Sequence, residues 1–180
     1  MDIVSFYAGL APDHRGRSLE DIRNFDYEQL ESVHDYIQWL FPLNTLSRFN
    51  PSAPCLTEAQ IKLFRESPEL QRELVRSFQS QLDFLGFQLF TDPEPHLKRA
   101  VNFPSRKKVW PKSGNHNCLR ISRMLRAMSL LGLTPYSEAL LKALEQLSWY
   151  DRWRLGPDTY RRWRSQLQVE NLNSQPPKAR

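Results

Sequence analysis

The sequence has few of the residues that mark disulfide scaffolds, phosphate-binding loops and membrane spans. Its 180 residues include only two cysteines, Cys55 and Cys118, and 6 scattered glycines. The cysteines lack CxxC spacing, and no glycine-rich phosphate loop is present. No stretch approaches the roughly 20 apolar residues of a membrane span. With no apolar signal segment either, the sequence predicts a reduced, cytoplasmic protein without a transmembrane segment, and leaves peripheral membrane contact open.

Arrangements that support catalysis are also scarce. The four histidines, His14, His34, His96 and His116, show no metal-ligand spacing, and no serine lies in a nucleophile elbow. Cys118 lies two residues from His116, a separation that directs side chains to different sides of a helix. We therefore expect no metal and no cofactor. The sequence favours a binding module over an enzyme, with an enzyme of unrecognised type as a further alternative.

Charge is present but unevenly distributed. Residues 1–94 carry 8 Lys and Arg against 15 Asp and Glu, whereas residues 95–180 carry 17 against 5, so the halves have net charges of −7 and +12. A basic half can serve an anionic partner such as nucleic acid, a phosphorylated ligand or a lipid surface. Alternatively, the acidic half packs near the basic half.

Cap and stop signals predict an all-α fold. Ser18, Asp26, Thr57 and Ser67 are N-cap candidates, and Gly86 is placed to end a helix in the left-handed conformation. A loop-rich connector is predicted over 91–115, and further helices over 117–131, from Thr134 with Pro135 in its first turn, and after Pro157. We predict a single compact domain over 1–170 with about six to eight helices, and a flexible tail over 171–180.

A helix predicted over 26–41 is the expected centre of the domain. At 100° per residue, its apolar face consists of Leu30, Val33, Ile37, Leu40 and Phe41. Trp39 projects to nearly the opposite side, which predicts a second covering layer. Beside the apolar face lies a polar ribbon of Tyr27, Glu31, His34 and Gln38. Its members are either ligand-binding groups or buried polar groups satisfied by neighbouring backbone.

The helix over 117–131 has a matching basic flank. His116, Arg120 and Arg123 follow one another at helical spacing beside an apolar face, and Asn117 adds unpaired N–H groups at the helix start. Packing the two apolar faces together would bring both ribbons to one cleft. We therefore predict a binding site for a peptide, protein or small anionic ligand, with Arg120 facing a solvent-filled cleft. In the alternative, Arg120 and Arg123 pair with acidic residues of the first half. The predicted ligand-binding residues are Glu31, His34, Gln38, His116, Asn117, Arg120 and Arg123.

Three blocks, ESVHDYIQWLFPL, LTEAQIKLFRESPELQRELVRSFQSQLDFLGFQL and NHNCLRISRMLRAMSLLGL, resemble the conserved domain of the opioid growth factor receptor family, in order and at compatible spacing. The resemblance spans roughly residues 6–147. It implies a helical domain and, from the family name, binding of an enkephalin-type peptide. The family commonly has asparagine where this chain has Cys118. The matching motif positions are His34, Tyr36, Gln38, Trp39 and Pro42 in the first block, and His116, Asn117, Leu119, Arg120 and Arg123 in the third.

Two basic, aromatic-rich segments of the second half favour an alternative function. SRKKVWPK surrounds Trp110 with cations, and WYDRWRLGPDTYRRWR interleaves aromatic rings with arginines. Rings that stack on bases, between cations that contact phosphates, are typical of RNA or single-stranded DNA binding. Alternatively, Trp149, Trp153, Tyr160 and Trp163 have helical spacing and pack into the core. The candidate nucleic-acid contacts are Arg106, Lys107, Lys108, Trp110, Lys112, Arg152, Arg161, Arg162 and Arg164.

Overall fold

The computed structural model describes residues 2–47 and 50–167, which form eleven helices and one two-stranded hairpin around a shared apolar core. The predicted all-α class is confirmed, and the helices are more numerous and shorter than expected. The predicted tail over 171–180 lies outside the described residues. In chain order the elements are α1 (Ile3–Tyr7), α2 (Leu19–Arg23), α3 (Tyr27–Ser32), α4 (Ile37–Leu40), α5 (Glu58–Glu66), α6 (Pro68–Leu85), β1 (Phe87–Phe90), β2 (His96–Arg99), α7 (Phe103–Arg106), α8 (His116–Leu130), α9 (Thr134–Glu145), α10 (Trp149–Leu155) and α11 (Pro157–Leu167).

Side-chain caps set the helix starts where the sequence predicted them. Ser18, Asp26 and Thr57 each form a reciprocal capping box with the third residue of their helix. Ser67 caps α6, and Gly86 ends it with a φ of 88°. A Cβ at Gly86 would also lie 2.7 Å from a backbone atom of α7, so both conformation and space require glycine there.

The predicted continuous helix over 26–41 is wrong. Helix α3 ends at Ser32, Val33 adopts an extended conformation, and α4 begins at Ile37. The four intervening residues turn the chain inward, so that every residue of α4 is buried. Hydrophobic period alone could not reveal the break, because its cause is a buried arginine of α8 that binds the last carbonyls of α3.

Trp39 has the second covering layer that its position predicted. Its side chain is fully buried, and its ring meets Phe6 of α1 edge to face, with centroids 5.1 Å apart. The indole Nε1 donates to His14 Nδ1 at 3.1 Å. Helix α4 is therefore covered by other residues on both sides.

The connector predicted over 91–115 is partly ordered into secondary structure. Strands β1 and β2 pair antiparallel, with Phe87 opposite Arg99 and Phe90 opposite His96. Beyond them, α7 and the following loop lead to α8, which packs against α9 and α11. Within the described ranges, no helix is both long and apolar enough to cross a membrane.

The aromatic residues near the C-terminal end fall into two groups. Tyr160 and Trp163 of α11 are buried, as helical spacing suggested. Trp149 and Trp153 of α10 are 80% and 73% exposed, so the interpretation that they pack into the core is wrong.

The first prediction concerns the packing of α4. Replacing Trp39 with alanine removes a fully buried indole and leaves a cavity, so Trp39→Ala should lower the free energy of unfolding by about 3–5 kcal/mol. The exposed Trp149 provides the control, since Trp149→Ala should change stability by no more than about 0.5 kcal/mol. Urea unfolding of the two variants measures the difference. Equal, small changes would contradict the packing described for α4.

Candidate ligand-binding site

Glu31 and His34 of the first ribbon meet the second where the chain between α3 and α4 packs against the start of α8, whereas Tyr27 is hydrogen-bonded to Asp83 and Asn102 instead. The imidazole rings of His34 and His116 are edge to face, with centroids 5.0 Å apart and planes at 87°. Asn115 caps α8 by accepting from the backbone N–H of Asn117. His34 and His116, 82 positions apart in sequence, are thus adjacent at this point.

Glu31 joins the ribbons through both carboxylate oxygens. Oε2 accepts a hydrogen bond of 2.9 Å from Nδ2 of the buried Asn117, and Oε1 lies 3.4 Å from His116 Nε2. The structure therefore directs the Glu31 carboxylate to neighbouring side chains, and Glu31 is absent from the lining of the adjacent cavity.

Arg120 is the main departure from the predicted site. It is only 7% exposed, so it does not face a solvent-filled cleft. Its guanidinium donates to the backbone carbonyls of Leu30 and Val33, the latter at 2.8 Å, and lies 5.3 Å from the ring centre of Tyr36. A further bond of 3.0 Å reaches Asn117 Oδ1. Arg120 also forms no ion pair with a described acidic side chain of the first half, which was the alternative prediction. Arg120 ends helix α3 by satisfying its free carbonyls.

A cavity of about 640 Å³ opens next to the two histidines. The apolar residues of its described lining include Ile37, Leu43, Leu46 and Leu119. None of the described lining residues is acidic. The remaining lining residues are His34, Gln38, Ser47, His116, Arg120, Ser122, Arg123, Arg126 and Gln166.

Besides Arg120, the arginines Arg123 and Arg126 contribute positive charge to this cavity. Arg123 donates to the carbonyl of Phe41 at 2.8 Å, and Arg126 donates to Asn44 Oδ1 at 3.4 Å. Burial, together with repulsion from Arg126, lowers the pKa of Arg123 to about 10. The Arg123 guanidinium therefore remains protonated at neutral pH, and a bound anion would relieve its repulsion with Arg126.

Three buried polar atoms of the cavity residues have no hydrogen-bond partner among the described residues, and one of them, His116 Nε2, lies 3.4 Å from the Glu31 carboxylate. The other two are the carbonyl oxygen Oε1 of Gln38, which is 5% exposed, and Nε of Arg126. Buried polar atoms are nearly always paired in folded proteins, and an orphan often has a functional explanation. Of the latter two atoms, one needs a donor and the other needs an acceptor.

Sequence reasoning missed Arg126, although a signal for it existed. Arg126 follows Arg123 at i+3, so it continues the basic flank that begins at His116. The apolar lining residues Leu43 and Leu46 come from the loop after α4, and no periodic pattern could assign them to the site.

The residues predicted to contact nucleic acid divide by exposure. Trp110 is fully buried and its Nε1 donates to the Leu85 carbonyl at 3.0 Å, so its ring cannot stack on a base. Arg106 donates to the Phe84 carbonyl at 2.7 Å, and Lys107 pairs with Asp151. The remaining candidates are exposed: Lys108, Lys112, Arg152, Arg161, Arg162 and Arg164.

Cys118 does not have the environment of a nucleophile. Burial raises the pKa of its thiol to about 11, so the thiol is protonated at neutral pH. Its backbone carbonyl instead accepts a bond of 3.0 Å from Trp163 Nε1, which holds α11 against α8.

Comparison with known proteins identifies the family. The model of the opioid growth factor receptor (OGFr) conserved region matches residues 5–149, which include both helices of the site. The chain belongs to this family. No solved structure matches it.

Relatives within the opioid growth factor receptor family share the domain in much longer proteins. The opioid growth factor receptor of Rattus norvegicus is 37% identical over 143 residues, covering 77% of this chain and 24% of the rat protein. The opioid growth factor receptor-like protein 1 of Xenopus tropicalis is 36% identical over 136 residues, covering 74% of this chain and 26% of the frog protein. The chain thus spans about a quarter of the length of these relatives.

The second prediction tests the role of Arg120. Arg120→Ala would remove the guanidinium from the carbonyls of Leu30 and Val33, and within the described residues only Leu30 keeps another donor, the Tyr36 hydroxyl, so we expect a loss of about 2–3 kcal/mol in the free energy of unfolding. Arg120→Lys should also destabilise, because one ammonium cannot reproduce the planar fork. Arg72→Ala, on an exposed face of α6, is the matched control and should stay within about 0.5 kcal/mol. An Arg120→Ala variant as stable as this control would show that the helix end does not depend on the guanidinium.

The third prediction concerns pH. Burial, and secondarily the Arg120 cation, lower the pKa of His116 from 6.5, with Glu31 opposing the shift and His34 adding to it. The unfolded chain therefore binds this proton more tightly than the folded chain does. The contribution of His116 to stability is complete above about pH 6.5 and declines as the pH falls towards the lower, folded-state pKa.

Denaturant unfolding between about pH 7.5 and 5 measures this decline, and His116→Gln should remove it. Carboxylates of lowered pKa titrate at lower pH and contribute equally to both proteins. An identical pH dependence in the variant would exclude His116 as its source.

Proposed function

We propose that this domain binds a peptide, protein segment or small anionic ligand in the cavity between α4 and α8, through a carboxylate and an adjacent N–H group. The observation that carries the proposal is the pair of orphan atoms, Gln38 Oε1 and Arg126 Nε, on residues lining the same cavity. A peptide C-terminus supplies both missing partners, because its last residue has an amide N–H next to a carboxylate.

Charge and shape support the same ligand class. The half-buried Arg123 and Arg126 face no acidic residue in the described lining, so an anion gains electrostatic stabilisation there. The leucines of the lining can receive an apolar side chain. A volume of about 640 Å³ lies within the range of small-molecule and short-peptide sites. Bare phosphate would leave these apolar residues unused.

Relatives in the family are named as receptors for opioid growth factor, which makes a peptide the first ligand to test. The domain would then be a binding module without catalytic activity of its own. Its two cysteines are unpaired, which supports our proposal that it works in a reducing compartment such as the cytoplasm.

The fourth prediction separates carboxylate recognition from general peptide binding. An enkephalin peptide with a free C-terminal carboxylate should bind at least about tenfold more tightly than its C-terminal amide, because a charge-assisted hydrogen bond is lost in the amide. Titration calorimetry of the two peptides measures this ratio.

Two variants make the test specific to the cavity. Arg126→Gln should reduce the preference for the acid, since it removes the guanidinium without emptying the site, whereas Arg72→Gln on α6 should preserve it. Gln38→Leu should weaken both peptides, because the carbonyl acceptor is lost. Equal affinity for acid and amide, or full binding by Arg126→Gln, would contradict the proposed site.

A further inference from the structure

Helix α10 presents two tryptophans to solvent. Trp149 and Trp153 lie one helical turn apart and are 80% and 73% exposed, whereas Trp39, Trp110 and Trp163 are completely buried. An indole has a large apolar surface, so two exposed indoles on one seven-residue helix form a patch that marks an interaction site. Neither side chain contributes to the core or to the cavity beside α4.

The patch borders a groove in which aromatic rings alternate with arginines. The groove lies between α10 and α11 and has a volume of about 550 Å³. It is lined by Trp149, Arg152, Trp153, Tyr160, Arg161 and Arg164, besides the turn between the helices. Arg161 and Arg164 pair with Asp158 and Glu145, respectively, at exposed positions, so a bound phosphate would compete with these carboxylates. The aromatic rings and arginines of the groove offer flat faces for stacking and cations for phosphates.

A second basic segment lies next to the same helix. The backbone N–H of Ser113 donates to the Arg154 carbonyl at 2.8 Å, and Lys107 Nζ lies 3.3 Å from Asp151 Oδ2. Asp151 is buried, so its charge is neutralised by Lys107 and does not oppose an anion at the surface. Lys108 and Lys112 remain exposed in the adjoining loop. Two separate basic stretches of the sequence thus converge at α10.

We propose that this surface binds single-stranded nucleic acid, with bases stacked on Trp149 and Trp153 and phosphates held by Arg152, Arg161 and the neighbouring lysines. Base stacking on aromatic rings combined with backbone neutralisation is the general chemistry of sequence-tolerant single-strand binding. A duplex hides its base faces and cannot use the indoles in this way. The groove shares no described lining residue with the cavity beside α4, so each binding activity can be tested and lost separately.

A lipid surface is the other partner class with a preference for tryptophan and arginine. Insertion into a bilayer interface uses a continuous apolar face on a longer amphipathic helix. Here the helix has seven residues, and the cations Arg152 and Arg161 line the groove together with the indoles. The geometry therefore favours a partner that offers planar rings and negative charges at alternating positions.

The fifth prediction uses tryptophan fluorescence, which reports on this surface because the other three indoles are buried. Titration of the full chain with oligothymidylate at about 50 mM salt should quench the emission, and the logarithm of the affinity should fall with log salt at a slope of about −2 to −4, as about three to six phosphate contacts require. Trp149→Ala and Trp153→Ala should each weaken binding about tenfold or more, and Trp153→Phe should retain most of it.

Because the substituted residues are exposed, these variants should fold normally, and unchanged urea unfolding checks this. Arg161→Gln should reduce the salt slope, whereas Arg72→Gln, an arginine on the exposed face of α6, should not. Fluorescence anisotropy of labelled oligothymidylate gives a readout that does not depend on the removed indoles. Absence of binding at low salt, binding unaffected by both alanine variants, or association with phosphatidylserine vesicles but not with oligothymidylate would overturn the proposal.

Discussion

The structure around the candidate site depends on one buried guanidinium that holds the open end of a short helix. Arg120, on α8, donates to carbonyls that α3 leaves without helical partners. Because these carbonyls are satisfied from outside, the chain can leave the helix at Val33 and turn inward. The turn brings His34 against His116 and directs α4 into the core, where Trp39 is enclosed on both sides. Burying the Arg120 charge is energetically costly, but its bonds determine the path of the chain from α3 to α4.

The prediction succeeded where the controlling interactions are local. Capping residues such as Ser18 and Thr57 and the left-handed Gly86 act within a few positions, so helix starts and ends could be inferred from spacing. The proximity of His34 and His116 was predicted from a periodicity that assumed one helix over 26–41, and it occurs although His34 lies in the break between α3 and α4. The break near Val33 depends on Arg120, 87 positions away, and no local pattern contains that information.

The role of individual polar residues was harder to infer than their position. Arg120 and Arg126 lie on the same flank of α8. The Arg120 guanidinium donates to backbone carbonyls, whereas Nε of Arg126 has no hydrogen-bond partner among the described residues. Only the positions of the opposing carbonyls distinguish them. The tryptophans show the same limit of sequence-based prediction. Helical spacing alone cannot distinguish a ring that packs into the core from one that is exposed to water. Trp163 has a partner across the interface with α8, and Trp153 has none there.

Helix α11 contributes residues to both the cavity beside α8 and the groove beside α10. Gln166 near its end lines the cavity beside α8, while Arg161 and Arg164, about one turn earlier, line the groove beside α10. The helix is held at its centre by the bond from Trp163 to the Cys118 carbonyl. Helix α11 therefore contributes residues to both candidate binding surfaces. A ligand that displaced α11 at one surface would, by thermodynamic reciprocity, alter affinity at the other by the same factor.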